Sequence, residues 1–82
     1  MVALDKILKD LVTPMVDDVE SVDVREMPSL NENEVVLYVY AKSDDVARLI
    51  GRQGNMATAL RQMMSVAAHV ENKKITIKFE SL

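Results

Sequence analysis

The chain has 82 residues with a formal net charge of -3; 49% of them are hydrophobic and 28% charged, the balance of an ordered protein with one small core rather than of a disordered segment. It contains no cysteine, which excludes disulfides and thiolate chemistry. No apolar run approaches the ~18 residues of a membrane span, and charges interrupt the N-terminal segment MVALDKILKD where a secretory signal would be apolar, so a cytoplasmic protein is expected.

In chain order, Leu4, Ile7, Leu8, Leu11, Val12 and Met15 recur at helical spacing and predict an amphipathic helix over residues 3–15, with Pro14 at its end. SVDVREM alternates, Val22 and Val24 against Asp23 and Arg25, and reads as a half-buried strand. PSLNEN is a turn. EVVLYVYA (34–41) is apolar on both faces, Val35, Leu37 and Val39 opposite Val36, Tyr38 and Tyr40, and belongs at the centre of a sheet. Ser43 is the expected N-cap of a short helix ending near Ile50, with Asp44 and Asp45 facing the positive end of its dipole. A second helix begins after Gly54, with Met56, Ala59, Leu60, Met63, Met64 and Ala67 as its buried stripe and Thr58, Arg61, Gln62, Ser65 and His69 outward. KKITIKFE closes the chain as an amphipathic strand that the two-helix crossover can return parallel to the central one. The order helix, strand, strand, helix, helix, strand implies an α+β fold with helices on one face of a three-stranded mixed sheet and Tyr38 and Tyr40 on the other. Residues 1–82 form one domain in this reading.

Both glycines of the chain lie three positions apart, in ARLIGRQGNMATAL, at the junction of the two helices. Gly51 alone would make an ordinary left-handed helix stop; the second glycine is poorly explained by that role. Two glycines around Arg52 and Gln53 make a turn without side-chain bulk at either shoulder, next to a helix start whose unpaired amides and dipole favour an anion. Charge is distributed accordingly. Residues 1–45 hold four basic groups against eleven acidic ones, a balance of -7, whereas residues 46–82 hold six against two, a balance of +4.

With these residues in view, VARLIGRQGNMATALRQMM resembles the GXXG signature of KH domains, in which a helix, a Gly-X-X-Gly loop and a second helix clamp a short single strand. A helix and strand before the motif, and a closing strand after it, look like the type II KH arrangement, order α-β-β-α-α-β. Over nearly the whole chain, from LVTPMV through IGRQG and ALR to KKITIKFE, the sequence is similar to the small stand-alone bacterial KH proteins of the KhpA family. The resemblance implies non-catalytic binding of single-stranded RNA without a cofactor. It also implies a cytoplasmic RNA chaperone or post-transcriptional regulator connected with cell elongation and division, acting as a homodimer or with a KhpB (Jag) partner. The site it implies comprises Ile50, Gly51, Arg52, Gln53, Gly54 and Asn55, flanked by Arg61 two turns along the second helix and by Lys73 and Lys74 before the last strand. Asn55 stands where family members often carry a basic residue, which lowers the expected strength of phosphate contact.

Competing readings are a helix-turn-helix DNA-binding domain and a protein-interaction module. The first is disfavoured because Arg61 is the only cation in the second helix; the acidic net charge and Asn55 favour the second. Tyr38 and Tyr40 are read as packing or protein-contact residues, and His69 as a surface residue, since one histidine without cysteines makes no metal set. No Walker-type loop or nucleophile, base and acid set is present, so the chain is not expected to be an enzyme.

Overall fold

The computed structural model describes residues 3–82. Its elements are α1 (Leu4–Val12), β1 (Asp23–Met27), β2 (Glu34–Ala41), α2 (Ser43–Ile50), α3 (Asn55–His69) and β3 (Lys74–Ser81). Single 3-10 turns at Thr13–Met15 and Val19–Ser21 link α1 to β1. β2 is central, antiparallel to β1 and parallel to β3, as its two apolar faces require.

α1 buries Leu4, Leu8 and Val12, with Ile7, Leu11 and Met15 packed at the margin of the core. Its α-helical part stops at Val12, three residues short of the expected end. Pro14 has no N–H for the carbonyl of Asp10, and the Thr13 hydroxyl bonds back to the Lys9 carbonyl at 2.6 Å, so the last turn tightens to 3-10 geometry.

The inner sheet face presents Val24, Val35, Leu37, Val39, Ala41 and Ile75 to the helices. Leu8, Leu49, Leu60 and Met64 reach it from the three helices, all fully buried, each contributing about 1.5–3 kcal/mol of apolar burial. The backbone ladder continues past the strands: Lys74 N–H donates to the Asn33 carbonyl at 2.7 Å and Leu82 N–H to the Ala41 carbonyl at 2.9 Å.

Three sequence expectations change. Lys42, not Ser43, holds the N-cap position of α2: the Val46 N–H to Lys42 carbonyl bond (2.9 Å) already closes the first turn, leaving Ser43 inside the helix without a capping role. Asp45, expected to face the helix dipole, is instead buried and ties α2 to the segment after α1. Its Oδ1 accepts the Asp17 N–H at 3.0 Å and its Oδ2 the Asp18 N–H at 3.1 Å, while Arg48 Nη1 donates to Oδ1 at 3.1 Å. Finally, the buried line of α3 is Leu60, Met64 and Ala68, whereas Met56 and Met63 are 38% and 49% exposed. Met63 lies one residue, about 100° of helix, round from Met64 and so clears the core; Met56 sits in the first turn, packed against Gly51 and one turn ahead of Leu60, the first buried residue of the helix.

Candidate nucleic-acid interface

α2 ends because Gly51 leaves helical geometry with φ 76° and ψ 177°, its N–H still bonded to the Ala47 carbonyl at 3.0 Å. A Cβ on Gly51 would come within 2.8 Å of the Met56 Cβ and 2.9 Å of its backbone nitrogen. Glycine is therefore demanded twice, by its dihedrals and by the first turn of α3 folding back against it.

The next three residues form one 3-10 turn, closed by Gly54 N–H donating to the Gly51 carbonyl at 3.2 Å. Gln53 (φ 56°, ψ 25°) and Gly54 (φ 77°, ψ 12°) are both left-handed. Three of the four positive-φ residues among those described thus lie in four consecutive positions, Asn72 being the fourth. Held backbone strain of this kind clusters at binding sites, and a non-glycine residue in the left-handed region costs about 1–2 kcal/mol.

Gly54 differs from Gly51 in what surrounds it. Nothing lies within 4 Å of where its Cβ would be, so this shoulder of the turn is open for a ligand's approach. Directly behind it α3 begins. The Asn55 N–H is spent inside the turn, donating to the Arg52 carbonyl, but Gly54 occupies the N-cap position without a side-chain cap and no acidic residue lies in the first turn, so the helix dipole and the amides that follow Asn55 favour an anion.

Around this core the exposed Arg52 stands on the turn itself, Gln53 beside it and Asn55 at the first position of α3. Ile50 is half-buried at the end of α2 and offers an apolar edge, while Leu49 is wholly in the core. Arg61 follows Gly54 by seven residues, within about 20° of two complete turns, and lies on the same side of α3 about 10 Å farther along it. Arg52 and Arg61 are exposed and, among the described residues, paired with no carboxylate. Arg48, by contrast, pairs with both Asp17 and Asp45, which removes it from the positive field that the sequence assigns to this half.

A turn of two positive-φ glycines, open at the second and set before an uncapped helix, in an α-β-β-α-α-β chain, coincides with a match to the family model described as KhpA/KhpB, KH domain, over residues 5–79. The chain belongs to this family. It is similar to the RNA-binding protein KhpA of Clostridium perfringens, 31% identical over 75 residues that cover 92% of this chain and 97% of the relative. It also resembles RNA-binding protein KhpA of Bacillus subtilis, 28% identical over 88% of this chain and 86% of the relative, and of Treponema pallidum, 27% identical over 90% of each. The fold is accordingly a KH domain, with its three helices on one face of a mixed sheet.

Within this KH fold, Ile50, Gly51, Arg52, Gln53, Gly54 and Asn55 fall together at the α2–α3 junction, and Arg61 adjoins them. Lys73 and Lys74 do not. They follow the opposite end of α3, whose 15 residues separate them from the glycine turn by about 22 Å. Sequence reasoning missed Asp45, whose partners lie 27 and 28 residues away along the chain and carry no local signal. Among the described residues no group of three His, Asp or Glu side chains could hold a metal ion, and no helix is long and apolar enough to cross a membrane.

Proposed function

We propose that the chain, a single KH domain over residues 1–82, binds single-stranded RNA without catalysis, holding one or two phosphates on the Gly51–Gly54 turn. The observation that carries this reading is the open space at Gly54 directly over the uncapped start of α3. A phosphate there receives backbone N–H donors and the helix dipole, and Arg52 adds a full charge from the turn. Gln53 and Asn55 supply neutral polar contacts, Ile50 an apolar edge for a base, and Arg61 a contact one phosphate farther on. Lys73 and Lys74 contribute only if the strand runs the length of α3. The KhpA relatives are named RNA-binding proteins, which supports this reading over a DNA-binding helix-turn-helix.

In the cell this activity corresponds to a cytoplasmic RNA chaperone or post-transcriptional regulator connected with cell elongation and division. The protein acts as a homodimer or paired with a KhpB (Jag)-type KH protein. The pairing is supported by Met56, Met63, Val66 and Val70 of the α3 region, which stand exposed at steps of seven, three and four residues, the spacing of a helix-packing seam.

Filter binding at low salt with single-stranded RNA and double-stranded DNA separates the readings. Retention of the RNA and not of the duplex is expected. Retention of neither leaves a protein-interaction module, and preference for the duplex overturns the RNA assignment.

A further inference from the structure

On the sheet face turned away from the helices, Asp23 of β1 stands opposite Tyr40 of β2, and Arg25 stands opposite Tyr38. The Arg25 side chain leans along its own strand toward Asp23. Its Nε donates to Asp23 Oδ2 at 2.7 Å, and its guanidinium carbon lies 6.0 Å from the Tyr40 ring centroid. That distance is the outer limit of a cation–π contact, so the guanidinium stands at the margin of the ring without covering it. Tyr38 stacks on Tyr40, with centroids 6.1 Å apart and planes 23° from parallel, and so steadies the ring. Between Asp23, Arg25, Tyr40 and Leu82 opens a depression of about 300 Å³, the lower end of the range of small-ligand sites. The Leu82 N–H bond to the Ala41 carbonyl, at 2.9 Å, fixes its far wall.

We propose that this depression binds a guanine base, stacked on Tyr40 and held along its edge by Arg25 and Asp23. The Nε bond occupies one of the guanidinium's five donors and one of the carboxylate's roughly four acceptor positions. Nη donors and carboxylate acceptors therefore remain side by side. Guanine presents two acceptors, N7 and O6, followed along the same edge by two donors, N1–H and the N2 amino group. An arginine takes the first two bidentately and a carboxylate the second two. Adenine and uracil alternate acceptor and donor, so each sets a like group against Arg25 or Asp23. Cytosine, with two acceptors and one amino group, leaves a carboxylate acceptor unmet and is the nearest competitor.

Charge at the site selects the base and not the phosphate. Asp23 and the exposed Glu80, opposite Tyr40 on β3, place two carboxylates around one guanidinium. A phosphate is turned out to solvent. The bond from Arg25 is the chief cause that holds the Asp23 carboxyl below the ordinary carboxylate range, so at neutral pH it is ionised and accepts only. Because both partners of this ion pair are well exposed, binding is weak and fast. A free guanine nucleotide and a guanosine within single-stranded RNA offer the same chemistry. The site lies across the sheet from the helices and stands independently of the glycine turn.

Tyr38 and Tyr40 are the two tyrosines of the chain and share this face, so their ring signals in proton NMR report the site directly. The titrants are the four nucleoside monophosphates, guanosine, and a short oligoadenylate with and without one guanosine. Guanosine monophosphate is expected to shift the ring signals with an affinity at least roughly tenfold above that of the adenosine and uridine monophosphates, with cytidine monophosphate between them. Guanosine is expected to bind as well as its monophosphate. Asp23→Asn replaces one acceptor by a donor and is expected to remove the preference for guanine, with circular dichroism verifying the fold; if it unfolds, Arg25→Gln is expected to remove the preference equally. A response to the monophosphate but not to the guanosine-bearing strand assigns the site to free guanine nucleotides, and a response to both assigns it to RNA as well. Ring signals that ignore guanosine monophosphate, or answer equally to all four bases, overturn the proposal. So does a folded Asp23→Asn protein that keeps the preference, and so does a monophosphate that binds far more tightly than guanosine, which would make this a phosphate site.

Discussion

Gly51 and Met56 approach so closely that a Cβ on the glycine would lie 2.8 Å from the Cβ of the methionine and 2.9 Å from its backbone nitrogen. This contact fixes the angle at which α3 leaves the turn, and so where its unpaired amides point. Gly54, three residues on, has nothing within 4 Å. The two glycines of one motif therefore do different work: the first is structural, the second leaves space.

Alanine substitution should separate them. Gly51→Ala combines a positive φ with a clash against backbone atoms that cannot swing aside, and should destabilise the fold by about 2–4 kcal/mol. Gly54→Ala meets only the left-handed penalty of about 1–2 kcal/mol, so the protein stays folded. Its new methyl group would nevertheless occupy the open space that the proposed RNA contact uses, and RNA retention should fall. Urea unfolding and filter binding on both variants check this; equal destabilisation would mean that the Gly51–Met56 contact is not holding the turn.

Much of this architecture was legible in the sequence. β2 could be placed from Glu34 to Ala41 because apolar residues on both faces fit only a central strand, and the α2–α3 junction because no other position offers two glycines. What escaped depends on three-dimensional neighbours. Periodicity shows that α3 has an apolar side but not how much of it other elements cover, so Met56 and Met63 were assigned to the core and are exposed. Asp45 has the same local context as Asp44, yet only Asp45 meets the Asp17 and Asp18 amides. Lys73 and Lys74 were grouped with the site because the type II KH resemblance places the connection into the last strand beside the binding groove; the 15 residues of α3 lie between them and the glycine turn.

Stability should decline in acid through Asp45. The Asp17 N–H that it accepts, with the Asp18 N–H and Arg48, holds its carboxyl below the ordinary carboxylate range against the opposing effect of burial. A carboxyl whose folded-state pKa is depressed contributes stability that is fully present above its unfolded pKa, near ~3.9, and lost as pH falls through the folded value. Asp18, lowered chiefly by its bond to Lys42, and Asp23, lowered chiefly by Arg25, add in the same direction. Thermal melts at pH 6 and pH 3 should show a marked fall for the parent. Asp45→Asn should be less stable at pH 6 and lose less on acidification; an unchanged pH dependence would exclude Asp45 as a contributor.

The cations near the turn set the salt dependence. With Arg48 committed to Asp17 and Asp45, Arg52, Arg61 and the α3 amides are left to meet two or three phosphates. The slope of log affinity against log salt should then be roughly -1.4 to -2.1, at about -0.7 per phosphate on a single strand. Arg61→Ala should make it shallower by about 0.7, whereas Lys73→Ala with Lys74→Ala should leave it unchanged for a short RNA. A much steeper parent slope would place binding on the wider charged surface instead of the turn.

Charge reversal on the turn puts the functional reading at greatest risk. Arg52→Asp with Gln53→Asp keeps both glycines, and both side chains are exposed, so no core contact is removed. Position 53 has φ 56°, a left-handed geometry that aspartate tolerates better than glutamine does, so the backbone should be undisturbed. Stability should stay within ~0.5 kcal/mol of the parent. Two carboxylates would now face the site where the α3 amides receive an anion, turning attraction into repulsion. Retention of single-stranded RNA should fall at least roughly tenfold, equivalent to about 1.4 kcal/mol, with circular dichroism unchanged and sedimentation unaffected, since the α3 stripe does not include these residues. A folded double variant that binds RNA as the parent does would mean that the Gly51–Gly54 turn only joins two helices.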